Sequence, residues 1–243
     1  MITDLFLRTY DQDAQWLPFL FRSLARHARD FRDLIVVAPP GSASVKATVD
    51  GATPLLLSQL VVSRVRLETC QAYEDDYNGQ QVSKLRAWEL SSADEVLYLD
   101  ADLVVIQDLT PYTRRGLIEG RPWADVGDAV CWKEPTERLL GVETKLEVMA
   151  RHPFQHPVQL VRRCYEHVGG QARLLSYPKG WHFSEFNLLG SYAHLIEGRS
   201  VMLSTDEDWQ TDVVRQFRSY DGLTPEVEAE LRRLGYWGEH HGP

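Results

Sequence analysis

The stretch "ADEVLYLDADLVV", residues 93–105, wraps an apolar run around two carboxylates, Asp100 and Asp102. "VLYL" and "LVV" ask for burial, whereas two acids two residues apart ask for water or for a partner. Along an extended chain side chains two apart point the same way. Asp100 and Asp102 therefore face one point, just past the end of a buried strand. In open α/β sheets the carboxyl ends of the strands open onto the ligand crevice. Like charges held close repel, and burying either alone costs several kcal/mol. A divalent cation removes that cost. Hard oxygen ligands suit Mg²⁺ or Mn²⁺, which keep positions open for substrate phosphates. In the alternative, Asp100 starts a turn and Asp102 caps one, both solvated. The apolar residues on either side favour the metal.

Working outward, residues 5–9 form a first strand followed by the turn-like Asp11-Gln12-Asp13. Leu17, Leu20, Phe21 and Leu24 then recur at helical spacing. "LIVVAPP", residues 34–40, is a short β-branched run ended by prolines, as suits a strand buried on both faces of a parallel sheet. Residues 60–67 alternate as a third strand, and residues 80–92 read as a helix leading into "EVLYL". This β-α-β-α-β order implies an α/β fold: one Rossmann-like domain, a mostly parallel central sheet with helices on both faces.

Beyond residue 110 the pattern is less regular. Residues 111–122 read as loop or short helix, 129–132 as a strand, and 153–168 as a helix. Residues 178–181 read as a turn, and 183–193 are a mixed polar and apolar run. Thr224-Pro225 supplies an N-cap and first helical residue; Val227, Leu231 and Leu234 form that helix's apolar face, and Gly235 its stop. With no repeat, linker or charge block, the 243 residues read as one domain.

The formal charge of −9 disfavours a broad non-specific grip on nucleic acid, since such binding works by neutralising phosphates. Three widely spaced cysteines, Cys70, Cys131 and Cys164, make neither a disulfide framework nor a CxxC metal cluster, so a reducing cytoplasmic setting is expected. The opening residues read as a strand, not a signal peptide. No stretch approaches the roughly 20 apolar residues of a membrane span.

"KLRAWELSSADEVLYLDADLVVIQDL", residues 84–109, resembles the central segment of the GT-A-fold glycosyltransferases. That family uses a D-x-D motif to hold a divalent metal on the diphosphate of a nucleotide-sugar donor. "LFLRTYDQDAQWLPFLFRSLARH", residues 5–27, resembles its first strand, nucleotide-contacting loop and first helix. "FSEFNLLGSYAH", residues 183–194, is similar to the acceptor-side segment of a bacterial and viral branch.

The resemblance implies a nucleotide-sugar-binding half over residues 1–110 and an acceptor-binding half with the C-terminal tail over 111–243. It makes Asp102 the direct metal ligand and gives Asp100 the donor ribose or a metal-bound water. Thr9, Tyr10 and Asp11 would lie along the base and ribose of the donor. Lys84 would reach the donor phosphates or sugar, its alternative being a solvated helix-face lysine, and Arg86 is a weaker candidate. The family often draws a further metal ligand from a C-terminal histidine, here His240 or its neighbour His241, with His182 a rival.

A transferase of this kind needs the acceptor hydroxyl deprotonated as the diphosphate leaves. Glu185 is a candidate general base for an inverting reaction; in a retaining one it would position donor or acceptor. Its alternative is helix N-cap, a role equally open to Ser184. Asn187 would hydrogen-bond sugar hydroxyls and Trp181 or Trp209 would stack on a sugar or base, although tryptophan is more often core. Asp206, Glu207 and Asp208 read as a solvated loop that could supply the base instead. Asp75 and Asp76 read as loop residues.

The function that follows is a metal-dependent glycosyltransferase of hexosyltransferase type, moving a sugar from a nucleotide sugar, a UDP-sugar first among them, to an acceptor hydroxyl. The acceptor would be a glycan, a lipid-linked sugar or a modified nucleobase in viral DNA. The last would need a local basic stripe such as Arg114, Arg115 and Arg121, or Arg162 and Arg163. A sugar-1-phosphate nucleotidyltransferase is disfavoured, because "TYDQDAQW" after the first strand contains no glycine to cradle phosphates. A sugar- or protein-binding module without activity is the remaining alternative, and both retained aspartates count against it.

Overall fold

A computed structural model describes residues 1–149, 152–176, 183–204, 213–217 and 219–237. Its first half follows the expected alternation: β1 (Thr3–Arg8), α1 (Leu17–His27), β2 (Phe31–Ala38), α2 (Ala43–Ser58), β3 (Val62–Thr69), α3 (Asp76–Leu85), a single turn α4 (Ala87–Leu90) and β4 (Glu95–Leu99). The second half carries β5 (Leu103–Val105), β6 (Glu119–Pro122), α5 (Lys133–Leu140), β7 (Leu146–Glu147), β8 (Phe154–Pro157), α6 (Val158–His167), α7 (Gly170–Leu174), α8 (Glu185–Ser191), β9 (Met202–Leu203), β10 (Val214–Gln216) and α9 (Pro225–Arg233).

The central sheet runs β3-β2-β1-β4-β8; its first four strands are parallel and β8 closes the edge antiparallel to β4. Every residue of β1 and β4 is buried, and the stretches at their centres, residues 5–7 and 96–99, are accordingly continuously apolar and do not alternate. One face, with Leu5, Leu7, Leu34 and Leu97, packs under Leu17, Leu20, Phe21 and Leu24 of α1 and Val45 and Val49 of α2. The other, with Phe6, Ile35 and Tyr98, packs under Val82 of α3, Leu160 of α6 and Leu188 of α8. The mostly parallel α/β sheet with helices on both faces is thus the architecture found.

From β1 the chain winds outward through β2 to β3, then returns to place β4 on the opposite side of β1. The strand order reverses between β1 and β4. At such a switch point the loops leave in opposite directions and open a crevice at the carboxyl ends of the strands.

Several elements differ from the expectation. The third strand begins at Val62, not residue 60. The helix expected from residue 80 begins at Asp76 because Asp75 caps it, accepting from the backbone N–H of Tyr77 and Asn78; these two acids open a helix and are not loop. Residues 129–132 lie within a 3₁₀ segment, Gly127–Trp132, not a strand. The loop over 111–122 ends in β6. The helix expected from residue 153 starts at Val158, because residues 154–157 pair with β4 as β8. The last helix forms as read: Thr224 Oγ1 accepts from the Val227 N–H at 3.4 Å and Gly235 takes φ of 77°.

Candidate active site

Asp100 follows directly on β4, and Asp102 precedes β5 two residues later. Both therefore stand at the carboxyl end of the sheet beside the β1/β4 switch. β10 pairs antiparallel with β5. That pairing brings the Ser219 N–H within 3.1 Å of Asp102 Oδ2, while the Phe217 N–H bonds the Asp102 carbonyl at 2.9 Å. Asp102 is buried. Burial first, then Asp100 and Asp13, push its carboxyl up to about 7.

Asp100 has a different set of neighbours. The Lys84 ammonium, from the last turn of α3, lies 2.7 Å from its Oδ1, and His152 Nε2 lies 3.4 Å from its Oδ2. Lys84 also meets Glu185 Oε1 at 2.6 Å and stands 4.6 Å from the centre of the Phe186 ring. Its side chain is 2% exposed, so it is no solvated helix-face lysine. Burial alone would favour loss of its proton, but Asp100 and Glu185 outweigh that and hold the ammonium above its ordinary range. Burial likewise favours a neutral Asp100, and Lys84 reverses the effect, leaving that carboxyl below its ordinary value.

Glu185 opens α8 with its side chain buried. Ser184 takes the N-cap, its Oγ accepting from the Asn187 N–H at 3.2 Å, so Glu185 is free for Lys84. With its amide flipped, Gln81 Nε2 donates to Glu185 Oε1 at 2.9 Å. Burial raises the Glu185 carboxyl and Lys84 only partly offsets it. His152 is held neutral by burial, down to about 4, with Phe154 and Phe186 packed edge-on against its ring.

Thr9, Tyr10 and Asp11, the residues expected along the nucleotide, follow the end of β1. Thr9 is fully buried, its N–H bonding the Val37 carbonyl at 3.0 Å. Tyr10 is half-buried and precedes the short turn Asp11–Asp13. Asp11 is exposed, and its carboxylate accepts from the Val45 N–H at the start of α2. Asn187 is in the core, its Oδ1 accepting from the Val148 N–H at 2.8 Å. Arg86 pairs with Glu89 at 2.6 Å. Trp181, His182, Trp209, the acids 206–208, His240 and His241 lie outside the described residues.

Three members escaped the sequence reading. Asp13 stands close enough to Asp100 that burial and that charge raise its carboxyl to about 6. His152 comes from the loop before β8. Arg8, at the end of β1, is buried beside the crevice. Asp13 alone had a signal, an acid in the loop after the first strand.

Among the described residues no group of three or more His, Cys, Asp or Glu side chains is placed to hold a metal ion. Asp100 and Asp102 supply two carboxylates. That suits a Mg²⁺- or Mn²⁺-type site, which takes one or two protein carboxylates and completes its shell with water and substrate phosphate.

No family model matches the chain. Over 78 residues, 32% of its length, the chain is 31% identical to UDP-glucuronate:xylan alpha-glucuronosyltransferase 2 of Arabidopsis thaliana, and it spans 12% of the length of that relative. Part of the chain is thus similar to part of a glycosyltransferase. No described helix is long and apolar enough to cross a membrane.

Proposed function

We propose that residues 1–243 form one GT-A-like glycosyltransferase domain of hexosyltransferase type, cytoplasmic in keeping with its three free cysteines, which moves a sugar from a nucleotide sugar to an acceptor hydroxyl. The observation that carries the proposal is the placing of Asp100 and Asp102 at the carboxyl end of β4, beside the strand-order reversal, with Lys84 locked against Asp100. The partial likeness to a UDP-glucuronate-dependent transferase supports a UDP-sugar donor.

In this proposal Asp102 and Asp100 hold a divalent cation, Mn²⁺ or Mg²⁺, with His240 a candidate further ligand. Bound there, the cation would offset charge on the departing diphosphate. Lys84 adds a second positive charge to the same end of the crevice, kept protonated by its two acids. Thr9, Tyr10 and Asp11 line the nucleotide side. Glu185 either takes the acceptor proton or holds Lys84 in place, and its 2.6 Å ion pair favours holding. Trp181 is assigned to the acceptor, while Asn187, in the core with its Oδ1 on the Val148 N–H, supports the α8 segment from within.

The acceptor is a glycan or lipid-linked sugar in preference to a nucleobase. Arg114, Arg121, Arg162 and Arg163 each lie 2.5–3.4 Å from a carboxylate, and Arg115 lies 3.7 Å from Glu95. A phosphate backbone would have to displace those partners. The named acceptor of the relative is a glycan.

The test is release of UDP from UDP-glucose, UDP-xylose and UDP-glucuronate with Mn²⁺, with and without xylo- and gluco-oligosaccharides. Metal-dependent release from one donor, lost in Asp102→Asn, supports the proposal. No release from any donor by a folded protein that also fails to bind UDP counts against it.

A further inference from the structure

Arg8 carries a permanent charge and is 2% exposed. Its Nη1 donates to the carbonyl of its own neighbour Thr9. Its Nε and Nη2 are buried without a hydrogen-bond partner, and no carboxylate lies within ion-pair distance of it among the described residues. Lys84, buried as completely, has two acids. A buried guanidinium with two idle donors is costly unless an anion completes it.

Its position says where that anion would come from. Leu7 pairs with Leu99 across the parallel β1/β4 ladder, so Arg8 and Asp100 leave the two strands side by side. Arg8 also shares the β1 face with Phe6, the side of α3 and α8. Asp13 feels both Arg8 and Asp100. The guanidinium therefore stands in the β1/β4 crevice itself, with the Tyr10 ring 5.9 Å away.

We propose that Arg8 is an anion-binding residue of the donor site, its Nε and Nη2 receiving a pair of oxygens from the nucleotide sugar. Resting on the donor-site proposal above, this deepens it: Arg8 grips either the diphosphate or a carboxylate on the transferred sugar. Nε and Nη2 are one edge of the planar fork, matched to the two oxygens of a carboxylate or phosphate. Lysine cannot reproduce that geometry.

The experiment is calorimetric titration of UDP, UDP-glucose and UDP-glucuronate, with Mn²⁺ present, into wild type, Arg8→Gln and Arg8→Lys, each first shown to be folded by circular dichroism. Weakening of all three ligands by about tenfold or more in Arg8→Gln places the diphosphate on Arg8. Weakening confined to UDP-glucuronate, with wild type preferring it to UDP-glucose, places a sugar carboxylate there. Unchanged dissociation constants in a folded Arg8→Gln overturn the proposal and leave the donor site standing. Should that variant not fold, Arg8→Lys decides: a loss of affinity despite the retained charge supports the fork, and unchanged affinity overturns it. Failure of wild type to bind any of the three removes both the donor site and the role of Arg8.

Discussion

Lys84 and Asp100, sixteen residues apart in the chain, meet at 2.7 Å at the carboxyl end of the parallel sheet, where the same ammonium also meets Glu185 at 2.6 Å. One cation between two acids fixes the end of α3 to the end of β4 and to the start of α8. The relationship has consequences for stability as well as for chemistry.

Replacing Lys84 by alanine leaves the buried Glu185 and the part-buried Asp100 without their cation. Breaking a buried pair in this way costs about 3–5 kcal/mol. Lys84→Ala should lower the urea midpoint sharply. Glu185→Gln, which keeps Asp100 paired, should cost far less. Equal and small effects for both variants would mean that the ion pairs do not hold these elements together.

Glu185→Gln also separates its two roles. If Glu185 takes the acceptor proton, kcat falls steeply with little change in donor KM. If it holds Lys84 against the phosphates, donor KM rises with it. The steady-state split between kcat and KM decides between them, and the buried ion pair predicts the second pattern.

Asp13 is raised to about 6 by burial and by Asp100. Its ionised form therefore disfavours the folded state at neutral pH. Asp13→Asn should raise the thermal midpoint while weakening Mn²⁺-dependent binding of UDP, the trade expected where charge is concentrated for function. A lower midpoint with unaltered binding would remove Asp13 from the site.

His156, on β8, is buried and pushed down to about 4, against an ordinary value of 6.5, chiefly by burial and secondarily by Arg199. Its folded value lies below its unfolded one, so as pH falls through 6.5 the unfolded chain takes up the proton first. The stability contribution is full above 6.5 and is lost progressively down to about 4. Between about pH 7.5 and about pH 5 this one group should cost about 2 kcal/mol. Urea unfolding of wild type and His156→Gln at both pH values measures it. The variant should lose less stability on acidification; parallel losses would refute the assignment.

What the chain revealed in advance follows from how locally each feature is encoded. β1, β2 and β4 are covered on both faces and show it as unbroken apolar stretches over residues 5–7, 34–38 and 96–99, and Asp100 and Asp102 stand out directly after the last of these. Lys84 drew notice only through family likeness, since one lysine on a helix gives no sign of burial. Arg8 gave no sign of standing beside Asp100 because the β1/β4 register, not sequence spacing, sets the ends of the two strands side by side, and Asp13 showed only as an acid in the loop that follows. The second half misled for a related reason. "FQHP" is four residues with no alternation, and pairing with β4 makes it a strand. "AVCW", residues 129–132, looks β-branched and aromatic, yet no strand among the described residues pairs with it and it coils as 3₁₀ turns.

The most direct test is thermal unfolding of wild type and Asp102→Ala with Mn²⁺, with UDP, and with both. A ligand at about 100 times its dissociation constant stabilises by roughly 2.7 kcal/mol. For a chain of this size each kcal/mol moves the midpoint by about 2–4 °C. A donor site built on Asp100 and Asp102 predicts a shift of several degrees for wild type only when metal and UDP are both present, and its loss in Asp102→Ala. An equal shift in the variant, or none in wild type with metal and nucleotide together, would contradict it.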